Sequence, residues 1–490
     1  MKTLTGIFTP PPGISRQDIK VFYRIAIGFL LLNIIFIMND FYWLSLLPAA
    51  MLLVIFIILS TDMVLLFVVF TTPLAINVKD VGLGVGMSIP SEPIVFGLMV
   101  IFFLKLLREG KFDRNILLHP VSIAIIINML WMGFTVISST MPVVSIKYFI
   151  SRLWFVAVFY FLGTQLFKRS INIKRFVWLY AIPLAGVIIY TTINHARFGF
   201  NQVAAHWVML PFYNDHTAYA AVIAMFIPIF ISFTADKNQS RQFRFFAGLF
   251  SLFFLIAIVL SYTRAAWVSL ASALFVYIIF LFRIRVTTLV MIAGILAGGF
   301  LLFRSEIEMK IEKNRQDSSS EYSAHIQSIS NVTTDASNLE RINRWKSAFR
   351  MFEQKPVLGW GPGTYQFKYA PFQHSKEKTI ISTNAGDRGN AHSEYIGPLA
   401  ESGVLGMLTF LAVVITILYR GVRLYSRESR KDIKAIVLGI LLGLITYLVH
   451  GVMNNFLDTD KASVPFWGFI GMLVAMDVYQ SRKETPSDPA

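Results

Sequence analysis

Cysteine is absent from this chain of 490 residues, and charged residues are scarce. Without cysteine, the chain has no disulfide bond, no thiolate metal site and no cysteine nucleophile. Only 15% of the residues are charged, whereas 55% are hydrophobic and 14% are aromatic. Because soluble globular domains carry about 25% charged residues, this composition excludes an ordinary soluble globular protein.

Three common catalytic motifs are also missing. The sequence contains no His-Glu-x-x-His zinc motif, no P-loop and no Gly-x-Ser-x-Gly nucleophile elbow. Asp458 and Asp460 are close enough in sequence to bind a metal together, but two carboxylates that flank a helix end are usually solvated. We therefore predict no metal site and no cofactor.

Long apolar runs recur from one end of the chain to the other. Each has about 18 or more residues, enough to cross a hydrocarbon core of about 30 Å as a helix. Hydropathy therefore predicts an all-α fold, a polytopic membrane bundle of about 12–14 transmembrane helices. The predicted spans are 21–38, 43–60, 62–78, 92–108, 120–139, 149–167, 175–194, 214–234, 244–262, 265–282, 286–303, 394–419, 433–451 and 463–480.

The basic residues mark one side of this bundle. In a soluble protein the formal net charge of +16 would suggest a nucleic-acid partner. Here lysine and arginine concentrate in every second connection, which by the positive-inside rule places those connections and both termini in the cytoplasm. We therefore predict no nucleic-acid partner. The basic connections contain Arg16 and Lys20, Lys105–Arg114, Lys168–Arg175, Lys237–Arg244, Arg283 and Arg285, and Arg420–Lys434.

The same rule divides the chain into four parts. Residues 1–303 form an N-terminal transmembrane bundle, and residues 304–391 form a large polar loop on the outer side. In a bacterium with two membranes, this outer side of the inner membrane is the periplasm. Residues 392–480 form the C-terminal transmembrane helices, and 481–490 form a tail predicted to be disordered. The first apolar run lacks a small-residue cleavage site and is predicted to be a retained anchor.

The outer loop has sequence signals of its own. Ser337-Asn-Leu-Glu340 fits a capping box that opens a helix, and Lys355-Pro356 ends that helix. Gly359-Trp-Gly-Pro-Gly363 is typical of a turn. We expect short helices in this loop, forming a lid that packs on the membrane mouth through one apolar stripe. The stripe consists of Leu339, Ile342, Trp345, Phe349 and Phe352.

His392 lies where the loop ends and the next apolar span begins. Histidine accepts a proton near neutral pH, so His392 is a candidate general base that acts on a hydroxyl group. The alternative is an interfacial histidine that only caps the helix. Tyr395 falls on the same helical face, and His216 opens another span on the outer side. Both are candidate substrate contacts.

Two arginines lie in outer segments that otherwise avoid basic residues. Arg264 occupies a tight hairpin between two apolar spans, and Arg197 lies in the connection after the span 175–194. The donors of a guanidinium group match phosphate oxygens in a bidentate way. The alternative for Arg264 is contact with lipid headgroups.

Three further charged residues are candidate substrate contacts. Arg344 follows Glu340 by four residues, a favourable helix pair, whereas Arg341 lacks such a partner and is the better candidate for phosphate or sugar. Glu401 lies inside an apolar span, where an ionised carboxylate is costly. We expect Glu401 to pair with an outer-face arginine such as Arg152, or to lie at a helix break made by Gly397-Pro398.

Three stretches together resemble the bacterial O-antigen ligase and Wzy-type polymerase superfamily. The first is Thr263-Arg264-Ala-Ala-Trp267, and the second is Arg341-Ile-Asn-Arg-Trp345 followed by Pro356-Val-Leu-Gly-Trp-Gly-Pro-Gly363. The third is Ala391-His392-Ser-Glu-Tyr395 with Leu399-Ala-Glu-Ser-Gly403 and Gly406. The likeness covers roughly 195–415. Ser393 departs from the asparagine common there, and Asn214-Asp-His216 departs from the frequent Pro-Asn.

The resemblance implies a transferase that moves glycans from undecaprenyl pyrophosphate to an acceptor, without a nucleotide sugar or a required metal. It implies that Arg197 and Arg264 clamp the pyrophosphate and that His392 activates the acceptor hydroxyl. The expected partners are the lipid-linked donor, a lipid A–core or glycan acceptor and membrane lipids, and we expect a monomer.

Several functions remain open at this point. The acceptor distinguishes a ligase, which uses lipid A–core, from a polymerase, which uses another glycan, and from a transferase to serine or threonine of proteins. The compact chain without an added soluble domain favours the ligase. A lipid or polysaccharide transporter is the alternative outside enzymes. Transporters place ionisable groups near the membrane midplane, whereas the unusual polar residues here collect at one face.

Overall fold

The computed structural model describes residues 16–41, 44–45, 47–48, 51, 60–78, 86–284, 336–379, 382 and 389–480. The chain divides into two compact units, residues 1–64 and 65–490. Helix α1 (Arg16–Met38) lies in the first unit. The second unit contains the short antiparallel strands β1 (Ile76–Val78) and β2 (Met87–Ile89) and the helices described below.

Helices make up nearly all of the regular structure in the described ranges. Two of them contain a π-helical stretch, Val156–Leu162 in α6 and Met476–Gln480 in α16. After α1 come α2 (Thr61–Thr71), α3 (Ser91–Glu109), α4 (Arg114–Leu117), α5 (Pro120–Ile137), α6 (Pro142–Leu166), α7 (Ser170–Ala196), α8 (Gln202–Ala205), α9 (His216–Ala235), α10 (Arg241–Leu260), α11 (Arg264–Phe282), α12 (Ala336–Gln354), α13 (Tyr365–Lys368), α14 (Ile396–Arg427), α15 (Lys431–His450) and α16 (Asp460–Gln480).

The predicted polytopic helical membrane protein is confirmed. Within the described residues, nine helices are long and apolar enough to cross a membrane: α5, α6, α7, α9, α10, α11, α14, α15 and α16. The predicted span 286–303, most of 43–60 and the tail 481–490 lie outside the described residues. The predicted span 62–78 is wrong at its end, because a short 3₁₀ turn after α2 ends at Leu74 and strand β1 follows.

Helices α9 and α15 form the centre of the bundle. Fourteen residues of α9 are buried, so it is apolar on every side rather than along one stripe. Two glycines of α15 let this helix approach α9 closely. A Cβ atom at Gly443 would lie 2.4 Å from the Met225 carbonyl oxygen, and one at Gly439 would lie 3.0 Å from the Ile229 Cα atom. Small residues at a helix contact are typical of membrane bundles, where close packing stabilises association.

The loop helix α12 packs through a different face from the one predicted. Its buried side consists of Glu340, Asn343, Arg344, Ser347, Ala348 and Met351. The predicted apolar stripe is only partly buried, and Phe349 is 46% exposed. The capping box is also wrong. The helix begins at Ala336, and the Glu340 carboxylate accepts hydrogen bonds from Arg344, Thr379 and Ser382 instead of capping it.

A break in α14 holds the glycine-rich turn of the loop. Gly403 has φ 70° and ψ −171°, so the break lies there and not at Gly397-Pro398. A Cβ atom at Gly403 would lie 2.1 Å from the Val357 carbonyl oxygen, so only glycine admits the loop backbone. The turn then binds α14 through backbone hydrogen bonds, from Trp360 N to the Ala400 carbonyl at 3.1 Å and from Gly361 N to the Glu401 carbonyl at 2.8 Å.

Candidate active site

His392 lies in the short segment 390–394 that joins the loop to α14. Its φ of 47° is in the left-handed region, which costs an L-residue roughly 1–2 kcal/mol. Two hydrogen bonds hold this backbone. His392 N donates to the Asn390 side chain at 3.1 Å, and Trp345 Nε1 of α12 donates to the His392 carbonyl at 3.4 Å. The strained backbone conformation, which these hydrogen bonds stabilise, therefore sets the orientation of the imidazole.

Arg344 fixes the residues that precede His392. Its Nε donates to Glu340 at 2.8 Å and its Nη1 donates to the Asn390 carbonyl at 3.1 Å. The guanidinium also lies 5.1 Å from the centre of the Tyr369 ring. A Cβ atom at Gly389 would lie 1.7 Å from Nη1, so any side chain there would displace the guanidinium group. These hydrogen bonds engage two of the five N–H donors of the Arg344 guanidinium group.

Glu394 fixes the residues that follow His392. Its backbone N donates to the Gly451 carbonyl at 2.8 Å. Its carboxylate is 6% exposed and accepts hydrogen bonds from the Tyr447 hydroxyl at 2.7 Å and from the backbone N–H groups of Phe456 and Leu457, each at 2.8 Å. Glu394 thereby joins the start of α14 to the connection between α15 and α16.

The surroundings of His392 keep its imidazole neutral. Burial and, to a smaller extent, the cations Arg344 and Arg341 lower the pKa of His392 to about 3, although Asp215 and Glu340 offset part of the shift. Among the described residues, neither ring nitrogen of His392 has a hydrogen-bond partner. A neutral ring with both nitrogens unengaged is able to accept a proton from a bound hydroxyl group.

Arg341 joins the loop helix to the same connection between α15 and α16. Its Nε donates to the Met453 carbonyl at 3.1 Å. Because Arg341 also lowers the pKa of His392, the two side chains lie close enough to interact electrostatically. The structure therefore brings together His392, Arg341 and Arg344 from the predicted set.

Arg264 and His216 belong to a second group at the same end of the bundle. Arg264 begins α11, and the preceding Thr263 hydroxyl donates to the His216 carbonyl at 3.4 Å. The His216 ring lies 3.0 Å from an Asp215 carboxylate oxygen, measured from Nδ1, and stacks on His206 at 4.3 Å between centroids. Asp215 connects the two groups, because its charge acts on His392.

Asp215 is held as a carboxylate by its neighbours. Burial raises its pKa, but the hydrogen bond and charge of His216 and the hydrogen bonds from Thr217 outweigh burial and lower the pKa well below the usual range. Asp215 is also the N-cap of α9, since its side chain accepts from Thr217 N at 3.0 Å. A stable negative charge therefore stands at the N-terminus of α9.

Arg197 is the most exposed of the predicted residues. It follows α7, and among the described residues its side chain has no hydrogen-bond or ion-pair partner. The connection that contains it contacts the hairpin before α11, because the Tyr262 hydroxyl donates to the Phe200 carbonyl at 2.9 Å. The structure thus places Arg197 and Arg264 on two segments that touch.

One known protein family matches a segment of the chain that contains much of this site. Residues 249–411 match the family model described as O-antigen ligase. This segment, the ligase domain, is similar to the O-antigen ligase family. The match confirms the resemblance seen in the sequence, and together with the membrane helices it supports a membrane glycosyltransferase of the ligase or polymerase type. No curated protein matches the chain.

The ligase domain contains Arg264, Arg341, Arg344, His392 and Glu401, whereas Arg197 and His216 precede it. The site is therefore built from the ligase domain together with segments outside the family match. In the described part of the chain, no group of three or more His, Asp or Glu side chains is arranged to hold a metal ion.

Two predicted contacts of the ligase domain have protein partners. The Tyr395 hydroxyl donates to the Leu448 carbonyl at 2.9 Å. The Glu401 carboxylate accepts from Tyr365 N at 3.1 Å and so anchors the loop. The predicted pairing of Glu401 with an arginine is not a direct ion pair in the described ranges, where the buried Arg152 donates to the Tyr148 hydroxyl at 3.1 Å. Arg152 and Glu401 nevertheless line the same cavity, and their charges interact.

Sequence reasoning missed three residues near His392. Glu394 lay inside the motif that pointed to His392, yet its role depends on partners more than fifty residues away. Asp215 was noted only as part of a departure from the family pattern. His450 is 1% exposed, its Nε2 lies 3.1 Å from the Asn454 amide nitrogen, and its Nδ1 has no partner in the described structure. No sequence motif marks His450.

Proposed function

We propose that this protein is an O-antigen ligase, which transfers a polysaccharide from undecaprenyl pyrophosphate to a lipid A–core acceptor on the periplasmic side of the inner membrane. The observation that carries the proposal is the state of His392. A neutral imidazole with unengaged nitrogens, on a backbone held in an unfavourable conformation, stands beside two arginines and within the ligase domain.

In the proposed reaction, the acceptor hydroxyl oxygen attacks the anomeric carbon of the donor sugar. A new C–O bond forms there as the bond to the pyrophosphate oxygen breaks, and the anomeric centre inverts. His392 takes the proton of the hydroxyl group, and the leaving pyrophosphate takes the bonding electron pair. Because pyrophosphate is already a good leaving group, catalysis requires mainly positioning, charge stabilisation and one base.

The donor itself strengthens the base in this proposal. Arg341 and Arg344 lower the pKa of His392 in the protein alone. A pyrophosphate near these arginines would offset their charge, so the pKa of His392 would rise toward the range of an effective base. His392 would then become more basic when the donor is in place, which limits proton transfer in its absence.

The arginines have different proposed roles. Arg264 and Arg197, on two segments in contact through Tyr262, bind the pyrophosphate oxygens. Arg341 contacts phosphate or the adjacent sugar. Arg344 acts by positioning His392, because its donors bind Glu340 and Asn390. His216 orients the donor together with Asp215.

The acceptor decides between the ligase and its alternatives, a polymerase that extends the glycan on its own carrier or a transferase to protein serine or threonine. Gel profiles of lipopolysaccharide from a deletion strain distinguish them. Loss of all polymer-capped core, with polymer accumulating on the lipid carrier, supports the ligase. A core capped by a single repeat indicates the polymerase, and unchanged lipopolysaccharide with lost protein glycosylation indicates the third activity.

An assay of purified protein, used together with the gel profile, tests the transporter alternative. Protein reconstituted with lipid-linked glycan and lipid A–core should form the joined product without any other protein. Movement of the lipid-linked glycan across the bilayer without product formation would contradict the proposal.

A further inference from the structure

A polar cavity lies at the end of the bundle opposite His392. Helix α5 starts beside this cavity at His119, and its other end reaches the loop, where Thr140 N donates to the Trp360 carbonyl at 3.0 Å. Helix α14 likewise runs from the His392 segment to Arg427 at the cavity. The cavity has a volume of about 700 Å³ and lies between α4, the start of α5, the end of α14 and the end of α16. It is independent of the proposed catalytic site.

The lining of this cavity is rich in arginine. Arg114, Arg420, Arg427 and Arg430 face two carboxylates, Glu428 and Asp477. Arg420 Nε donates to Asp477 at 3.1 Å, and Arg430 donates to Glu428 at 3.0 Å. Four arginines against two carboxylates leave an excess of two positive charges. The cavity therefore favours an anion.

Arg114 and Arg427 carry that excess. Both are exposed, and within the described structure neither side chain has a hydrogen-bond or ion-pair partner. His119 also lines the cavity; it is 5% exposed, and its Nε2 lies 3.1 Å from Asp477. Two guanidinium groups without protein partners in the described structure suit a phosphate group, because each can donate two parallel hydrogen bonds to its oxygens.

An apolar groove adjoins the same short segment. Phe112 and Leu117 line a groove of about 270 Å³ between α3, α5 and α6, whose lining is entirely apolar. Arg114 and Leu118 of this segment line the basic cavity instead. Residues 112–118 thus separate a site for anionic oxygens from a site for hydrocarbon. A free phosphate ion uses only the first, whereas a phospholipid uses both.

We propose that the basic cavity binds the phosphodiester headgroup of an anionic phospholipid, with Arg114 and Arg427 as the phosphate contacts and the apolar groove receiving acyl chain. Basic pockets between transmembrane helices are suited to such headgroups. Since the lining comes from α4, α5, α14 and α16, a bound headgroup bridges elements distant in sequence and stabilises the bundle.

The test is thermal unfolding of the purified full-length protein in detergent with added lipid. Diphosphatidylglycerol or phosphatidylglycerol should raise the unfolding temperature saturably, whereas phosphatidylcholine should not, because a ligand that binds only the folded state stabilises it. The double variant Arg114→Ala/Arg427→Ala should need at least about ten-fold more anionic lipid for the same rise, from the loss of two charge-assisted contacts.

A matched variant removes the same charge from the same end of the bundle. Arg169 and Arg423 are arginines that do not line the cavity, so Arg169→Ala/Arg423→Ala should respond to lipid like the unmodified protein. An equal loss in both double variants would mean diffuse attraction and overturn the site. Inorganic phosphate that produces the full rise alone would overturn the phospholipid assignment, as would equal stabilisation by phosphatidylcholine.

Native mass spectrometry gives an independent readout. The unmodified protein should retain one more anionic phospholipid than the Arg114→Ala/Arg427→Ala variant at matched lipid concentration. Both arginines are exposed and lack protein partners in the described structure, so the variant should fold, and unchanged glycan transfer would verify this. Equal lipid retention by the two proteins would contradict the proposal.

Discussion

The two ends of the helix bundle hold their charged side chains differently. At the end with Arg420, charges pair with one another, as in Arg420 with Asp477 and Arg430 with Glu428. At the end with His392, the buried Glu394 binds backbone N–H groups and a tyrosine hydroxyl. Paired charges neutralise each other and stabilise packing, whereas a carboxylate that accepts hydrogen bonds from backbone N–H groups fixes the path of the chain. The end with His392 therefore has the properties of a catalytic site, whereas the ion pairs at the end with Arg420 stabilise the bundle beside the proposed lipid cavity.

The largest expected effect comes from removing the imidazole. His392→Gln should lower glycan transfer by about 10³-fold, because a positioned base contributes on the order of 10²–10⁴. The unfolding temperature should stay close to that of the unmodified protein, since the ring has no hydrogen-bond partner among the described residues. Transfer by reconstituted protein and thermal unfolding measure the two quantities.

A second loop histidine provides the control for His392. His374 is exposed, so His374→Gln should transfer glycan at the normal rate. Near-normal transfer by His392→Gln would remove the base from the proposal.

Glu394→Ala should have the next largest effect. It leaves the buried N–H groups of Phe456 and Leu457 without their acceptor, which costs about 3 kcal/mol in the free energy of unfolding. Because His392 is two residues away, its imidazole should also move, and a misplacement of about 1 Å costs on the order of 10²-fold in rate. Chemical denaturation in mild detergent and transfer assays measure these losses.

Glu394→Gln distinguishes the effect of the hydrogen bonds to the backbone from the effect of the negative charge of Glu394. The amide oxygen can still accept hydrogen bonds, so transfer should recover most of the loss seen with alanine. Equal losses in the glutamine and alanine variants would show that the negative charge of Glu394, rather than the backbone anchor, matters for transfer.

Arg344→Gln should reduce transfer by about ten-fold at pH 8 and change its pH dependence, because a misaligned group loses rate. His392 accepts a proton only when neutral, and its pKa of about 3 keeps it neutral through the physiological range. Removing Arg344 removes a cation that lowers this pKa, so the pKa rises. The acid limb of kcat/KM should therefore move to higher pH, which a pH–rate profile measures.

Arg350→Gln is the matched control on the same helix. Arg350 binds the Phe372 carbonyl and Glu377 and is not among the charges that act on His392. The acid limb of kcat/KM for Arg350→Gln should coincide with that of the unmodified protein. An unshifted limb in Arg344→Gln would mean that Arg344 does not tune His392.

The membrane helices were predictable because hydropathy is a local signal. The predicted spans 120–139 and 175–194 became Pro120–Ile137 and Ser170–Ala196. The loop was harder. Its apolar stripe around Trp345 suggested the packing face, yet α12 is buried through Glu340, Asn343 and Arg344. These polar groups find partners such as Gln373 and Asn390 far along the chain, and no local periodicity reveals such pairs.

The candidate site likewise contains residues that the local sequence predicts and contacts that it does not. His392 was predictable from its position between a polar loop and an apolar span. Glu401 was expected to need an arginine, because only its burial is visible in the sequence. The backbone N–H of Tyr365 satisfies it instead. Backbone donors have no sequence signature, so the contacts that hold the site required the fold.

The smallest expected effect on transfer comes from the end of the bundle with Arg420. Asp477 accepts hydrogen bonds from Arg420 and lies 3.1 Å from His119 Nε2. Asp477→Asn should lower the free energy of unfolding by about 2 kcal/mol, because charge-assisted hydrogen bonds are lost. Transfer measured well below the unfolding temperature should change less than about two-fold, since rate losses of this kind require displacement of the reacting groups.

Asp432→Asn makes the same substitution at the same end of the bundle. Asp432 lies in the first turn of α15, where it interacts with the helix dipole and contributes at most about 1 kcal/mol. The stability loss should therefore be larger for Asp477→Asn than for Asp432→Asn, with transfer retained in both. If Asp477→Asn reduced transfer as strongly as Glu394→Ala, the end with Arg420 would take part in the reaction, and the contrast between the two ends of the bundle would fail.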